Sequence, residues 1–409
     1  MTSTALGSAQ VKNRDWAIIT LLGLIHSSSH FFQLILPTLF VYLHHDYGYD
    51  YVQLGFLVSC FYLVSGLGQA SSGFIVDRIG PAPVMYFGLG AFVASASLMA
   101  LAPNYGVLVL AAIVGGAGNS IFHPVDYTII NHRISAARLG HAYSVHGFTG
   151  YLGWAATPLF ITVLGSAYGW RFAVMMAAVL IGVLLAVSIW QRELWGTAPQ
   201  SSDSKHIASQ SIGQTLVFLL RQPALWCAFL FFAFSSAALS AIQNYSIPLL
   251  SSVYGLSQVL AGSTLSAYMV AAAIGMIGGG FLVGASKKTE RIIFVMLCLA
   301  GACMLLLALH VVNASVAIVL VVLGGVCSGV AAPSRDMLIR RVTPKGATGS
   351  VYGLVYSGMD VGAAIAPVVF GHLIDAQFER APWYGGAVAF VFSAVLAVAV
   401  AKGAARQKA

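Results

Sequence analysis

Residues 115–124 read Gly-Gly-Ala-Gly-Asn-Ser-Ile-Phe-His-Pro, and 209 positions later residues 324–333 read Gly-Gly-Val-Cys-Ser-Gly-Val-Ala-Ala-Pro. The same shift carries Gly140, Tyr143, Gly153 and Pro158 onto Gly349, Tyr352, Gly362 and Pro367. A shift of 207 carries Tyr47, Gly48, Gly55, Gly68 and Gly73 onto Tyr254, Gly255, Gly262, Gly275 and Gly280. With 43 glycines in 409 residues a single Gly match means little, but the ordered series with its Pro and Tyr pairs reads as a duplication. Each unit is about 200 residues, far longer than a solenoid repeat. Two homologous halves in an apolar chain are a signature of secondary transporters, which bind substrate where the halves meet.

Composition places both halves in a membrane. The chain is 59% hydrophobic and 8% charged, with a mean hydropathy of +0.86, whereas a globular domain carries roughly 25% charged residues. A spanning helix needs roughly 20 apolar residues. Twelve such windows are present, at 16–42, 51–76, 82–102, 106–130, 140–164, 170–190, 223–249, 256–284, 290–311, 314–339, 348–374 and 382–401. The expected fold is an all-α membrane protein of twelve transmembrane helices in two pseudo-symmetric six-helix halves. Residues 1–190 form the first half, 191–222 a polar linker and 223–409 the second. The first window is long and lacks a small-residue cleavage site before the next, so it reads as a membrane helix rather than a removed signal.

Charge sets the orientation. With the N-terminus inside, Lys12, Arg14, Arg78, Arg133, Arg138, Arg192, Lys205, Arg221, Lys287, Lys288, Arg291, Arg335, Arg340, Arg341, Lys345, Lys402, Arg406 and Lys408 are cytoplasmic or close to it. Only Arg171 and Arg380 of the 20 basic residues fall outside, as the positive-inside rule requires. Both termini and the linker are therefore expected in the cytoplasm, and the protein in the cytoplasmic (inner) membrane. The net charge of +8 reports topology and contact with anionic lipid rather than nucleic acid. Cys60, Cys227, Cys298, Cys303 and Cys327 all lie inside windows without a CxxC pair, which argues for buried thiols and against a disulfide framework.

Between the second and third windows the chain runs Gly73-Phe-Ile-Val-Asp77-Arg78-Ile-Gly80-Pro-Ala-Pro-Val84. This resembles the G-x-x-x-D-R-x-G loop of the major facilitator superfamily, which latches the cytoplasmic side and governs alternation between open states. The resemblance implies a cytoplasmic gate of Gly73, Asp77, Arg78 and Gly80. The corresponding stretch of the second half, Gly280-Phe-Leu-Val-Gly284-Ala285-Ser-Lys287-Lys288, keeps the glycine but lacks the acid and the arginine. A narrower resemblance is to the fosmidomycin-resistance branch, carried by Val114-Gly115-Gly116-Ala-Gly118-Asn119-Ser120-Ile-Phe122-His123-Pro124. His26 and Gln33 ahead of Pro37, and Gln53 with Gly55, add to it. In that branch Glu follows His-Pro directly. Here Val125 intervenes and the acid is Asp126, a displacement of about 100° round the helix.

Titratable groups inside spans are the default functional candidates, because burying them in hydrocarbon is expensive unless they face a cavity. His26, His30 and Gln33 form a polar stripe on the first window, suited to a cavity or to a neighbouring helix. His123 and Asp126, three apart, share a helix face. Under the 209 shift Asp126 aligns with Arg335, which is followed by Asp336. The resemblance places the first, fourth, seventh and tenth helices around the central cavity. Asp126 and Arg335 then read either as a substrate-binding or gating pair or as static charges. Asp360, twelve residues into the eleventh window, is a second candidate for holding and releasing a proton. Gln243, Asn244 and Tyr245 near Pro248 repeat the Gln33–Pro37 region and read as outer-gate or substrate contacts, whereas Phe231, Phe232 and Phe234 read as packing.

The histidines and Asp126 are also a donor set that a transition metal accepts. Proton handling and anion recognition explain the same residues, so no metal site and no cofactor are assigned. No nucleophile elbow, H-E-x-x-H or phosphate loop is present, which argues against an enzyme and against self-contained ATP-driven transport. The expected partners are a small-molecule substrate, a coupling ion (a proton first) and the bilayer, with no nucleic acid. The protein is expected to act as a monomer. The expected function is proton-coupled export, by antiport, of a small polar or anionic drug or metabolite. Uptake of an organic anion such as a carboxylate is the alternative, and metal-ion transport a minor one.

Overall fold

A computed structural model describes residues 8–196, 223–285, 288–342 and 348–406. Fifteen α-helices are described: α1 (Ser8–Gln33), α2 (Ile35–Thr38), α3 (Phe40–Tyr47), α4 (Tyr51–Ile79), α5 (Pro81–Leu101), α6 (Tyr105–Asn119), α7 (Phe122–Arg133), α8 (Leu139–Tyr168) and α9 (Trp170–Trp190), then α10 (Pro223–Tyr254), α11 (Gln258–Ala285), α12 (Thr289–Leu309), α13 (Ala314–Val342), α14 (Thr348–Asp375) and α15 (Ala381–Arg406).

Eleven helical spans among the described residues are long and apolar enough to cross a bilayer. The first expected span is not among them. Pro37 has no N–H for the carbonyl of Gln33, and its ring crowds that carbonyl, so α1 stops at Gln33 and α2 and α3 carry the chain on. The stretch His26-Ser-Ser-Ser-His30 lowers its hydropathy further. A second break divides the fourth span between α6 and α7, four residues before Pro124. The Ser120 carbonyl that Pro124 leaves free accepts the Ser72 hydroxyl at 3.0 Å, so the kink leaves no orphan acceptor. Pro158, Pro248, Pro333 and Pro367 lie inside continuous helices.

Contacts group the chain into two compact units, Met1–Ile35 with Leu63–Gln200 and Leu36–Tyr62 with Ser201–Ala409. In the first, α1 packs on α8, and α5 on both α6 and α9. In the second, α10 packs on α14 and α15, and α12 on both α13 and α15. The duplication read from the sequence thus recurs as the same helix pairings. Residues 36–62 join the second unit through the start of α4, where the Tyr51 and Val52 amides donate to the two carboxylate oxygens of Asp375 at 3.0 and 2.8 Å.

Just ahead of the first expected span, Asp15 is fully buried and takes hydrogen bonds from the Ser135 hydroxyl and from Arg138 at 3.0 Å. Burial pushes its carboxyl up, but the Ser135 and Arg138 contacts outweigh this and hold it below the ordinary carboxylate value. The opening of the expected linker folds back on the first unit. Trp195 is fully buried with its indole N–H on the Ser188 carbonyl at 2.8 Å, and Arg133 donates to the Glu193 and Leu194 carbonyls. The rest of the linker, and Lys205, Arg221, Lys287, Lys345 and Lys408, lie outside the described residues. All five cysteines are free thiols.

Candidate functional site

Three helices of the first unit converge on Asp126. The α6–α7 break puts this acid in the early turns of α7, where it is fully buried. From α1, His26 Nδ1 lies 2.8 Å from Asp126 Oδ2; from α8, His146 Nε2 lies 3.1 Å from the same oxygen. An ionised carboxylate only accepts, so with Asp126 ionised both of these nitrogens carry hydrogen. The His26 and His146 rings stack at 3.5 Å between centroids. Two imidazolium rings at that distance would repel strongly in a low-dielectric interior, so the pair and the acid behave as one unit.

Two more imidazoles complete the cluster. The centroids of His30 and His123 lie 4.6 and 5.6 Å from that of His26. Asp126 Oδ1, His30 Nδ1 and His123 Nδ1 are buried without a hydrogen-bond partner among the described residues. His123, which shares a helix face with Asp126, is thus beside the acid but not bonded to it; His26 and His146 are. One turn along, a chain of hydrogen bonds orients the next polar layer. The Trp154 indole donates to Gln33 Oε1 at 2.9 Å, Gln33 Nε2 to Asn119 Oδ1 at 3.1 Å, and Asn119 Nδ2 to the Ser65 hydroxyl at 2.8 Å. The ring of Trp154 packs against His30 at 4.3 Å.

Glycine makes the convergence possible. A Cβ at Gly153 would overlap the Ser27 carbonyl, and one at Gly150 would sit 3.0 Å from His30 Cε1 and 3.2 Å from His26 Nε2. Any larger residue would push α1 away from α8 and pull His26 from Asp126.

The second unit holds most of the remaining candidates, and the first holds the loop at 73–80. Arg335 Nε donates to Asp336 Oδ1 at 2.9 Å, the Tyr356 hydroxyl donates to the same oxygen at 3.2 Å, and the Arg335 guanidinium lies 5.2 Å from the Phe232 ring centroid. Asn244 is buried and donates to the Ser240 hydroxyl at 2.7 Å. Gln243 Nε2 is buried without a partner among the described residues, and the Tyr245 hydroxyl donates to the Pro367 carbonyl. Asp360 is partly buried on α14. At the end of α4, Asp77 and Arg78 are exposed and make no ion pair among the described residues, while Gly80 turns the chain at φ 87° into α5.

His146, Trp154, Asn119 and Ser65 were not among the expected site residues. His146 carried a usable signal, a titratable group inside an apolar span four residues before Gly150. Asn119 entered only through the motif that carries the resemblance, and Trp154 carried no signal, since its role arises only where helices meet.

A family model described as the Major Facilitator Superfamily matches residues 21–323 and 290–408. The chain is 23% identical over 377 residues to the fosmidomycin resistance protein of Escherichia coli, covering 90% of each. It is 25% identical over 340 residues to a probable nitrate/nitrite transporter of Mycobacterium tuberculosis, covering 81% of this chain and 82% of that one. Among solved structures, a bacterial homologue of the human lysosomal transporter Spinster, inward-facing and unoccupied, matches with a TM-score of 0.76 at 14% identity over 96% of both chains. These relatives are transporters rather than enzymes. The paired helix bundles, the duplicated sequence and a family match over most of the chain agree, and the chain belongs to the Major Facilitator Superfamily of multi-pass membrane transporters.

Proposed function

We propose that this transporter is proton-coupled and exports a small polar or anionic compound, a drug or a metabolite, from the cytoplasm across the inner membrane. It works as a monomer with both termini inside and alternates between its two sequence halves, 1–190 and 223–409. The observation that carries the proposal is Asp126, a fully buried carboxylate held by His26 and His146, with one oxygen unpartnered and His30 and His123 alongside. An ionisable cluster at membrane depth needs a function to offset its cost, and proton exchange through Asp126 and its bonded imidazoles supplies one. His30, Gln33 and Asn244 are assigned to the substrate path. Asp360 is the second proton candidate. Gly73, Asp77, Arg78 and Gly80 form the cytoplasmic gate. Similarity to the fosmidomycin resistance protein favours export.

The second reading is proton-coupled uptake of an organic anion. Arg335 with Asp336 favours it, since its guanidinium is held over Phe232 with a planar donor face suited to a carboxylate; one relative is a probable nitrate/nitrite transporter. Growth of overexpressing and deletion strains across drugs, fosmidomycin first, and across carbon sources identifies the substrate and the direction.

The coupling test then compares pH-gradient-driven uptake into inverted vesicles with counterflow in the absence of a gradient. Asp126→Asn abolishes the first and retains the second, because exchange needs no net proton movement. Full gradient-driven flux in Asp126→Asn with loss in Asp360→Asn would move the proton site to α14.

A further inference from the structure

Four imidazoles gathered round one carboxylate supply more nitrogen than that carboxylate binds. Asp126 engages one nitrogen of His26 and one of His146, and His123 is bonded through neither the acid nor a second partner at Nδ1. One nitrogen from each of His26, His123 and His146 lies within 4.8 Å of the other two. The three residues come from α1, α7 and α8, each anchored by apolar packing, so the donors are brought together by the fold rather than by a mobile loop. A buried polar atom without a partner costs about 1–3 kcal/mol, so the unpartnered His123 Nδ1 calls for an occupant.

The donor types narrow what that occupant is. Imidazole nitrogen is a ligand for zinc, cobalt, nickel and copper, whereas magnesium and calcium need oxygen shells. A carboxylate hydrogen-bonded to two histidine rings is the arrangement that orients such rings toward a metal and raises their basicity. It also places a negative charge beside the incoming cation.

We propose that His26, His123 and His146 bind one divalent transition-metal ion of the zinc, cobalt or nickel class, with Asp126 as the carboxylate that positions His26 and His146. Bonds of about 2.0–2.1 Å in a tetrahedral site put neighbouring donors roughly 3.4 Å apart, so the nitrogens close in by up to about 1.4 Å from their 4.8 Å limit. His123, the partly exposed member, turns its ring, and His26 and His146 open out of their 3.5 Å stack so that both lone pairs meet the ion. Three protein ligands leave the fourth position open to water, to an anion or to a donor of the substrate, as in sites that handle ligands rather than brace a fold. This inference goes beyond the transport proposal, and it is tested without a gradient or a substrate, so either one can fail alone.

The experiment uses full-length protein in detergent, without a polyhistidine tag, stripped with chelator and titrated with Co²⁺ near neutral pH. Equilibrium dialysis gives stoichiometry, and visible absorption reports coordination. Wild type should bind one Co²⁺ per chain with the intense visible bands of four-coordinate cobalt. His123→Ala removes a ligand but leaves both Asp126 hydrogen bonds in place, and it should weaken binding by more than the roughly 10–100-fold that losing a ligand's outer hydrogen-bond partner costs. His123→Cys should retain the ion and add a thiolate-to-cobalt charge-transfer band, a signature that no purely structural role produces. His45→Ala, which removes the exposed His45–Asp46 pair, should change nothing. Absence of saturable Co²⁺ binding, or equal affinity and an identical spectrum in wild type, His123→Ala and His123→Cys, overturns the proposal.

Discussion

Where α1 crosses α8, Gly153 admits the Ser27 carbonyl, and one residue earlier His26 reaches Asp126. Where α10 crosses α14, Gly362 admits the Ala233 carbonyl, and one residue earlier Phe232 lies beneath Arg335. Gly153 and Gly362 are repeat partners, as are Asp126 and Arg335, so the two crossings are the same joint built twice. Register taken from the joint matches His30 with Ser236, and the 209 shift matches His123 with Ala332 and His146 with Val355. Every imidazole of the first joint is an aromatic, a small residue or an aliphatic in the second. The acid has become a base. What the fold requires, the glycine and the apolar faces, is kept, and what the chemistry requires is not. Function is grafted on the frame, and on the proposed function the proton chemistry is grafted on one side.

The comparison breaks most visibly if His26 takes the residue of its counterpart. His26→Phe keeps an aromatic ring against α8 but removes one of the two hydrogen bonds to Asp126, leaving a buried carboxylate with a single partner. A positioned side chain in a proton transfer contributes on the order of a hundredfold or more, so gradient-driven flux should fall about a hundredfold while counterflow persists. Phe232→Leu at the matching place should leave the pH dependence of flux unaltered. Equal losses in the two variants would mean that the joints serve the same purpose and that the imidazoles add nothing.

Much of the frame is legible in the chain alone. The expected span 170–190 coincides with α9, and the starts of α4, α10, α13 and α14 fall where apolar runs begin. The breaks are less so. Pro124 ends a helix while its repeat partner Pro333 does not, and part of the difference is Ser72, whose hydroxyl takes over the carbonyl freed by Pro124. That hydroxyl sits 48 residues away, beyond the reach of local pattern. His26, His30, His123 and Asp126 could be picked out one helix at a time because each is polar in an apolar window. Their meeting with His146 could not, since it depends on how far α8 slides against α1, and two glycines set that distance.

The joint itself gives the next test. Gly153→Ala and Gly362→Ala each force a methyl into a backbone carbonyl, and overpacking of this kind costs about 1–3 kcal/mol. Both should lower the melting temperature in detergent by similar amounts. Only Gly153→Ala should also lose gradient-driven flux beyond what its loss of folded protein explains, because only there does the displaced helix carry a bond to a buried acid. Parallel losses of flux per folded molecule would show that the two joints are equally tied to function.

A smaller effect is expected at Arg335. If it contacts an anionic substrate, Arg335→Lys loses the planar fork and should weaken affinity about tenfold, or 1.4 kcal/mol. Arg335→Ala should weaken it further, by removing the charge as well. Affinity measured on the substrate found in the growth screen decides it. Equal values in all three proteins would leave Arg335 as a charge that pairs with Asp336 and covers Phe232.

The smallest expected effect on stability lies at the loop where the halves differ most plainly. Asp77 occupies the last turn of α4, exposed, where the helix dipole is negative and a carboxylate costs about 0.3–1 kcal/mol. Arg78 beside it offsets part of that, and no ion pair to Asp77 is found among the described residues. A charge held at an unfavourable helix end and left exposed is easiest to understand as a group that gains its partner in another conformation. The second half has Gly284 at the matching place and does without it. Asp77→Asn should therefore leave the melting temperature unchanged or raise it by an amount equivalent to about 0.5 kcal/mol. Net transport should nevertheless slow severalfold, and a cysteine introduced on the cytoplasmic side of the cavity should become more accessible to a membrane-impermeant reagent. If flux and accessibility both match wild type, Asp77 is an ordinary surface acid, and the asymmetry between the two loops carries no gating function.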